Sequence, residues 1–299
     1  MQKTVLVTGA GGFIGKYVVD KLCKMGYAVT ALVHNHIPQY HDSVKVIKAD
    51  ICDEAMPEQI AAEMGECGAC IHLAADIDMR GSGQTILTNC LGTYHLASLA
   101  NMLSAEKFIY MSSLPVIGVP RYLPVTEQHP AEPVTLYHIT KYTGEKIVNK
   151  ICSPQMQKII LRISSPIGIG MNQSSYLSIL LNKCCKNESI EVFGQGKRCQ
   201  NYIDVRDIAR AAAYSLKAGQ SGLYLIAGKN SISNLELAYL CKKITDSDSD
   251  ISYGIRDDSE ENFRWIISGK KAEIELGFLP EYGLEESLRW IYSSFLKKE

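Results

Sequence analysis

The sequence has no surplus of charge of either sign. Its 299 residues carry 31 Lys plus Arg against 32 Asp plus Glu, a formal net charge of −1. A nucleic-acid-binding surface needs a basic surplus, so no nucleic-acid partner is expected. No apolar run reaches the roughly 18 to 20 residues of a membrane span, which argues against a membrane partner. The charged first residues, Met1-Gln2-Lys3, imitate the start of a signal peptide. The apolar stretch behind them breaks at glycines at once and reads as a first strand. Paired cysteine clusters are missing as well. Cys67 and Cys70 form a lone C-x-x-C, and Cys184 and Cys185 are adjacent. The ten scattered cysteines therefore predict free thiols in a reducing cytoplasm rather than a disulfide framework or a zinc site. His34, His36 and His41 share a loop with no acidic or Cys set beside them, so no metal is expected.

What is present is a chain that is 46% hydrophobic, enough for a large buried core. Short apolar runs alternate with helical patterns. Strands are expected at Val5–Val7, Val29–Val33, Val44–Lys48, Cys70–Leu73, Phe108–Met111 and Ile159–Leu161. Between them, helical spacing marks Lys16–Met25, Glu58–Met64, Thr85–Leu103 and Leu136–Ile151. Such runs suit parallel strands covered on both faces, so the fold class is α/β with a doubly wound parallel sheet. After about residue 165 the rhythm changes. Helices are expected at Tyr176–Cys185, Asp207–Leu216 (capped by Asp207), Leu235–Ile244 and Leu284–Phe295, with strands at Ile190–Phe193 and Leu223–Ile226. Thr245–Asp250 is expected to be a mobile polar loop.

Thr8-Gly9-Ala10-Gly11-Gly12-Phe13-Ile14-Gly15 joins the first strand to the first helix. Glycines allow a tight turn and close backbone approach to a pyrophosphate, and the helix N-terminus offers free N–H groups. The pattern departs from G-x-G-x-x-G, because Ile14 occupies the third glycine's place. It resembles instead the T-G-x-x-G-[FY]-[IL]-G of the extended short-chain dehydrogenase/reductase family, which includes nucleotide-sugar epimerases, dehydratases and reductases. Further segments match. Ala49-Asp50-Ile51-Cys52-Asp53 resembles the family's G-D-[IL]-x-D, and Ile71-His72-Leu73-Ala74-Ala75 its V-[IF]-H-L-A-A. Asn89 begins an N-x-x-G-T, and Ile109-Tyr110-Met111-Ser112-Ser113 resembles the strand carrying the catalytic hydroxyl. Val192–Gly196 and Lys270–Pro280 resemble the sugar-nucleotide members.

The resemblance implies a Rossmann domain over residues 1–165, with returns at 200–217 and 222–228. A smaller, discontinuous substrate-binding cap would occupy 166–299. It implies a cofactor site formed by Gly9, Gly11, Gly12, Phe13, Ile14, Gly15, His34, Asp50, Ile51, Leu73, Ala74, Ala75, Asn89, Ser112, Tyr137, Lys141 and Pro166. Substrate would meet Asp76, Ser113, Leu114, Ser165 and Gln200. The helices Thr85–Leu103 and Leu136–Ile151 resemble those that form a homodimer interface in the family.

The family's Y-x-x-x-K occurs four times, at Tyr17/Lys21, Tyr137/Lys141, Tyr142/Lys146 and Tyr239/Lys243. Position selects Tyr137/Lys141, which follows Ser113 by one βα step and opens its helix. Residues i and i+4 share a helix face. An ammonium there would favour the phenolate and lower a pKa of about 10. Tyr137 would then exchange a proton with a substrate hydroxyl, with Ser113 bonding the reacting oxygen. No acid ends the second strand, and His34 follows Val33, which leans the cofactor to NADP over NAD. Leu114-Pro115 stand where sugar-nucleotide 4,6-dehydratases carry Asp-Glu, so water elimination is disfavoured. Gln200 stands where many relatives place an Arg on the diphosphate, with Lys197 and Arg198 beside it. The expectation is an NAD(P)-dependent nucleotide-sugar epimerase or reductase. The alternatives are an NADP-dependent carbonyl reductase of small aldehydes or ketones, and a non-catalytic cofactor-sensing protein.

Overall fold

The structure is a computed structural model that describes residues 4–254 and 257–296. Met1–Lys3, the charged start that imitates a signal peptide, lie outside the described residues. Seven strands form one parallel sheet: β1 (Val5–Thr8), β2 (Val29–Val33), β3 (Lys45–Lys48), β4 (Ala69–His72), β5 (Lys107–Ser113), β6 (Gln157–Ile163) and, from late in the chain, β10 (Gly222–Ile226). Their order is β10-β6-β5-β4-β1-β2-β3. The central strands β1, β2 and β4 are buried along their whole length, as runs without polar alternation must be. The edge strand β3 exposes Lys45 and Lys48, charges that discourage edge-to-edge pairing.

Helices cover both faces. On one side α1 (Phe13–Lys24) packs on α7 (Val205–Ser215). The small Ala209, Ala211, Ala212 and Ala213 let α7 approach Val18, Val19 and Leu22. α9 (Lys270–Leu276) completes this layer through Ala272 and Leu276. On the other side lie α2 (Met56–Met64), α3 (Gly83–Ile86), α4 (Gly92–Met102) and α5 (Leu136–Ile151), with Met56, Leu96, Leu99 and Val148 in the core. The remaining elements are β7 (Ser165–Ile167), α6 (Tyr176–Cys185), β8 (Ile190–Val192), β9 (Cys199–Asp204), β11 (Ser231–Ser233), α8 (Asn234–Thr245), β12 (Ile251–Tyr253) and α10 (Leu284–Phe295). β9 pairs with β7 and β11, and β8 with β12. Leu177, Leu181, Leu237, Ala238, Leu288 and Ile291 make the core between α6, α8 and α10.

Several expectations are corrected. The stretch Thr85–Leu103 lies in one continuous helical run from Gly83 to Met102, as expected, but the run is not α-helical throughout. α3 and α4 are joined by a π-helical turn at Leu87–Leu91, and the extra backbone residue swings Asn89 into the interior. The cap of α7 is Asp204, whose carboxylate accepts the Arg206 N–H at 2.8 Å. Asp207 is buried inside the helix, where it accepts the N–H groups of Glu281 and Tyr282, each at 3.0 Å. β9, expected near the main sheet, belongs to a separate three-stranded sheet. The 245–250 segment is anchored: Ser247 and Ser249 are buried, and Ser247 Oγ donates to Asn187 Oδ1 at 2.9 Å.

Candidate active site

The chain leaves β1 and β4 in opposite directions across the sheet, so a crevice opens at their carboxyl ends. The glycine loop lies there. Gly9 has φ +64°, and a Cβ on it would stand 2.6 Å from Ala74 N. Loop and β4 end are thus in backbone contact. A Cβ on Gly15 would stand 2.2 Å from Gly9 O, so the first turn of α1 packs flush on the same loop. Gly11 is crowded by His36 O in the same way. α1 starts at Phe13, earlier than its apolar spacing suggests, because Gly12 is its N-cap. Gly12 is exposed and no side chain caps the helix. The open N-terminus fits a dinucleotide's phosphates, whose oxygens would take the N–H groups and the dipole.

A buried polar chain runs from this loop to α5. Ala74 N donates to Thr8 Oγ1 at 3.4 Å, and Thr8 Oγ1 lies 2.7 Å from His72 Nδ1. His72 Nε2 lies 3.0 Å from Thr93 Oγ1, which donates to Asn89 O at 2.6 Å. Thr93's one proton is committed to that carbonyl, so the imidazole must carry its hydrogen on Nε2 and accept from Thr8 on Nδ1. Burial, aided by Lys141, pushes the His72 pKa down to about 3, so the ring is neutral. Asn89 continues the chain. Its Oδ1 accepts Asp76 N at 2.8 Å, and its Nδ2 donates to Asp76 O at 2.9 Å and Thr140 Oγ1 at 3.0 Å. Thr140 Oγ1 donates to Tyr137 O at 2.8 Å. The Asn89 amide, expected on the cofactor, is therefore occupied in holding Asp76 and the first turn of α5.

Ser113 ends β5 and Tyr137 is the second residue of α5, whose N-cap is Thr135. Both stand at the edge of the sheet that carries the glycine loop. Lys141, one turn on, is 3% exposed, and its Nζ lies 4.3 Å from the Tyr110 ring centre. Burial pushes its pKa down to about 7, against the pull of Glu145 and Cys90. The Tyr137 phenol does not show the expected fall. Burial, and then the Asp76 carboxylate, push its pKa up to about 12, because both disfavour the charged phenolate. Ser112 points away from Ser113, as alternation along a strand requires. Its Oγ donates to Glu145 Oε1 at 2.6 Å. Arg162 holds the same carboxylate in bidentate fashion, Nε to Oε1 and Nη2 to Oε2, each at 2.8 Å. The Ser112 hydroxyl is thus turned into the protein rather than towards a cofactor. The competing pairs lie elsewhere: Tyr17 OH donates to Ile169 O at 2.9 Å, Lys146 Nζ sits 4.6 Å from the Tyr142 ring centre, and Tyr239 is exposed.

At the ends of β2 and β3, His34 Nε2 and Asp50 Oδ2 are 3.8 Å apart and both exposed. The Ile51 side chain is buried against Gly92, so its cofactor-facing part is backbone. Leu73, Ala74 and Ala75 are half-buried behind β4. Ser165 and Pro166 pair with Tyr202 and Ile203 of β9. Leu114, expected at the substrate, is 2% exposed and packs with Val116, Val125, Leu225 and Trp265. An apolar residue after Ser113 is drawn into that core. Gln200, its amide oxygen turned to Arg198, accepts from Arg198 Nε at 2.9 Å. Arg198 in turn pairs with Asp258 at 3.9 Å and with Glu260. Two open cavities, of about 530 and 500 Å³, lie away from this crevice. One is beside Lys107 and Gln157, the other beside Ser231 and Leu284. The His72 chain and the Glu145–Arg162 pair were not foreseen. Their signal was polar residues inside apolar strands, which must find partners when buried.

The sequence model of the NAD dependent epimerase/dehydratase family matches residues 5–227. The chain belongs to this family. It is 30% identical to a protein of Methanocaldococcus jannaschii described as a putative UDP-glucose 4-epimerase, over 95% of this chain and 96% of that one. The UDP-glucose 4-epimerase of Thermotoga maritima, solved with UDP-glucose, superposes with a TM-score of 0.88 at 25% identity, covering 99% of both chains. A UDP-glucuronic acid 4-epimerase from Bacillus cereus, solved with UDP-glucuronic acid and NAD, shares the fold with a TM-score of 0.86 at 21% identity. It covers 99% of this chain and 100% of that one. The family comprises NAD-dependent epimerases and dehydratases, and the fold is of the Rossmann type.

Proposed function

We propose that the protein is a nucleotide-sugar epimerase that oxidises and re-reduces a sugar hydroxyl carbon. The observation that supports this most is the Tyr137/Lys141 pair opening α5 at the edge of the sheet that carries the glycine loop, tied to that loop through Asn89 and His72. Residues 1–165 with α7 and β10 would hold the dinucleotide, and 166–299 the substrate. Gly12 and the N–H groups opening α1 would meet the pyrophosphate. Asp50 and Ile51 would face the adenine, and Leu73–Ala75 the rest of the cofactor. When bound, the dinucleotide supplies reversible hydride transfer. Ser113 would hydrogen-bond the reacting oxygen. Tyr137, as the phenolate, would take that oxygen's proton as the hydride leaves its carbon, and give it back in the return step. The Lys141 charge would favour the phenolate and its amine would hold the nicotinamide ribose.

The geometry favours NAD over the NADP suggested by His34 alone. Asp50 stands 3.8 Å from that imidazole, and its negative charge would repel a 2′-phosphate. Dehydration is disfavoured because Leu114 and Pro115 supply no acid. The runner-up is a carbonyl reductase, favoured by the Gln200–Arg198 bond that ties up the would-be diphosphate grip. Exposed Leu87, Leu91 and Tyr94, with Ile139 of α5, form an apolar face suited to a homodimer. Among the described residues no helix is long and apolar enough to cross a membrane, and a cytoplasmic location is part of the proposal. Incubation with UDP-glucose, without added nicotinamide, tests the reaction. Formation of UDP-galactose is expected. Reduction of small carbonyls by NADPH with no sugar interconversion would overturn the epimerase reading.

A further inference from the structure

Asp76 follows Ala74-Ala75 directly behind β4, between the glycine loop and Tyr137. Few side chains here are held so firmly. Its N–H and its carbonyl are both clamped by the Asn89 amide, at 2.8 and 2.9 Å. Its carboxylate accepts Thr85 Oγ1 on Oδ2 at 2.8 Å and Asp78 N on Oδ1 at 3.1 Å. A carboxylate offers about four acceptor sites, so about half remain for a ligand. Its charge is uncompensated. Arg80 of the same loop pairs with Asp78 at 3.7 Å, and among the described residues no cationic side chain pairs with Asp76. The residue is half-buried, and its field is felt at the Tyr137 hydroxyl. That hydroxyl is the group a reacting sugar oxygen would have to touch.

Resting on the epimerase reading above, we propose that the Asp76 carboxylate selects the sugar of the nucleotide sugar, accepting hydroxyl groups of a neutral hexose and turning away a uronic acid. A neutral hexose brings O–H donors to the free acceptor sites. A uronate brings a second carboxylate into a partly desolvated site that already holds one, and like charges at about 4–6 Å oppose each other strongly. Asn89 fixes the backbone, and Thr85 Oγ1 and Asp78 N hold the carboxylate itself against swinging aside.

The test compares kcat/KM and equilibrium affinity for UDP-glucose and UDP-glucuronate in the wild type, Asp76→Asn and Thr85→Val. Asp76→Asn keeps the shape and an acceptor for Thr85 but removes the charge. It is expected to raise the uronate-to-glucose ratio about tenfold or more. Thr85→Val removes one hydrogen bond but keeps the charge, and its ratio is expected to stay with the wild type. An unchanged ratio in Asp76→Asn, or a wild type that prefers the uronate, overturns the proposal. Absence of turnover with both sugars would overturn the reaction reading instead. The affinity ratio of wild type and variant would then decide the selection on its own, with equal ratios overturning it.

Discussion

Replacing Arg162 tests whether α5, the helix that carries Tyr137 and Lys141, is held by charge. Glu145 lies one turn beyond Lys141 on α5, and Arg162 is on β6; both side chains are about 5% exposed or less. The carboxylate receives two guanidinium bonds of 2.8 Å and a Ser112 bond of 2.6 Å. Arg162→Met would leave a buried carboxylate whose one remaining hydrogen bond comes from Ser112, which costs about 3–5 kcal/mol. Glu145→Leu would strand the guanidinium, at a similar cost. The double variant strands neither. Replacing a buried pair by apolar groups is often neutral or stabilising by about 1–4 kcal/mol. Arg162 Nη1 already lacks a hydrogen-bond partner among the described residues, which pushes the double variant towards that favourable end. Urea unfolding midpoints at constant slope give the four stabilities. The double variant should be more stable than either single one, a strongly non-additive cycle. Additive losses would refute the argument. Activity supplies a second readout. Ser112 adjoins Ser113, and Glu145 raises the Lys141 pKa, so both single variants should also lose kcat.

Three further outcomes are expected. Tyr137→Phe should abolish sugar interconversion while leaving dinucleotide affinity, measured by isothermal titration, within a few-fold of the wild type; retained activity would remove Tyr137 from its role. NAD should bind more tightly than NADP, and Asp50→Asn should narrow the gap; tighter NADP binding by the wild type would contradict the argument from the carboxylate beside His34. The cofactor-free protein should gain stability as pH rises from about 7 towards 10. Burial holds Lys141 at a pKa of about 7 against roughly 10.4 unfolded, so across that window the unfolded chain binds a proton that the folded one does not. In Lys141→Met this part of the slope should vanish, and an identical pH dependence in both proteins would count against the shift.

The sequence showed more of the sheet than of the site, and single residues explain the difference. Val5–Val7 and Val29–Val33 are apolar without alternation, and only a strand covered on both faces suits such a run. The six residues of β9 include Gln200, Asn201 and Asp204 among apolar neighbours. That pattern is compatible with either sheet, and pairing with β7 and β11 is decided by tertiary contacts. Asp204 and Asp207 stand three apart, and each is a plausible cap. The choice falls to Asp204 because Asp207 is needed by backbone groups 74 and 75 residues away. The apolar spacing of Ile86, Leu87 and Leu91 runs straight through the π-helical turn, so nothing local announces it. Within it the Asn89 amide reaches Asp76 and Thr140 at once. The site is thus written in polar side chains at apolar positions: Thr8, His72, Ser112 and Arg162, each buried and each bonded to a partner far along the chain. A buried polar group without a partner would be costly. Each of these residues therefore predicts that a partner exists, but not which one. The fold alone makes that assignment, and it joins the glycine loop to α5.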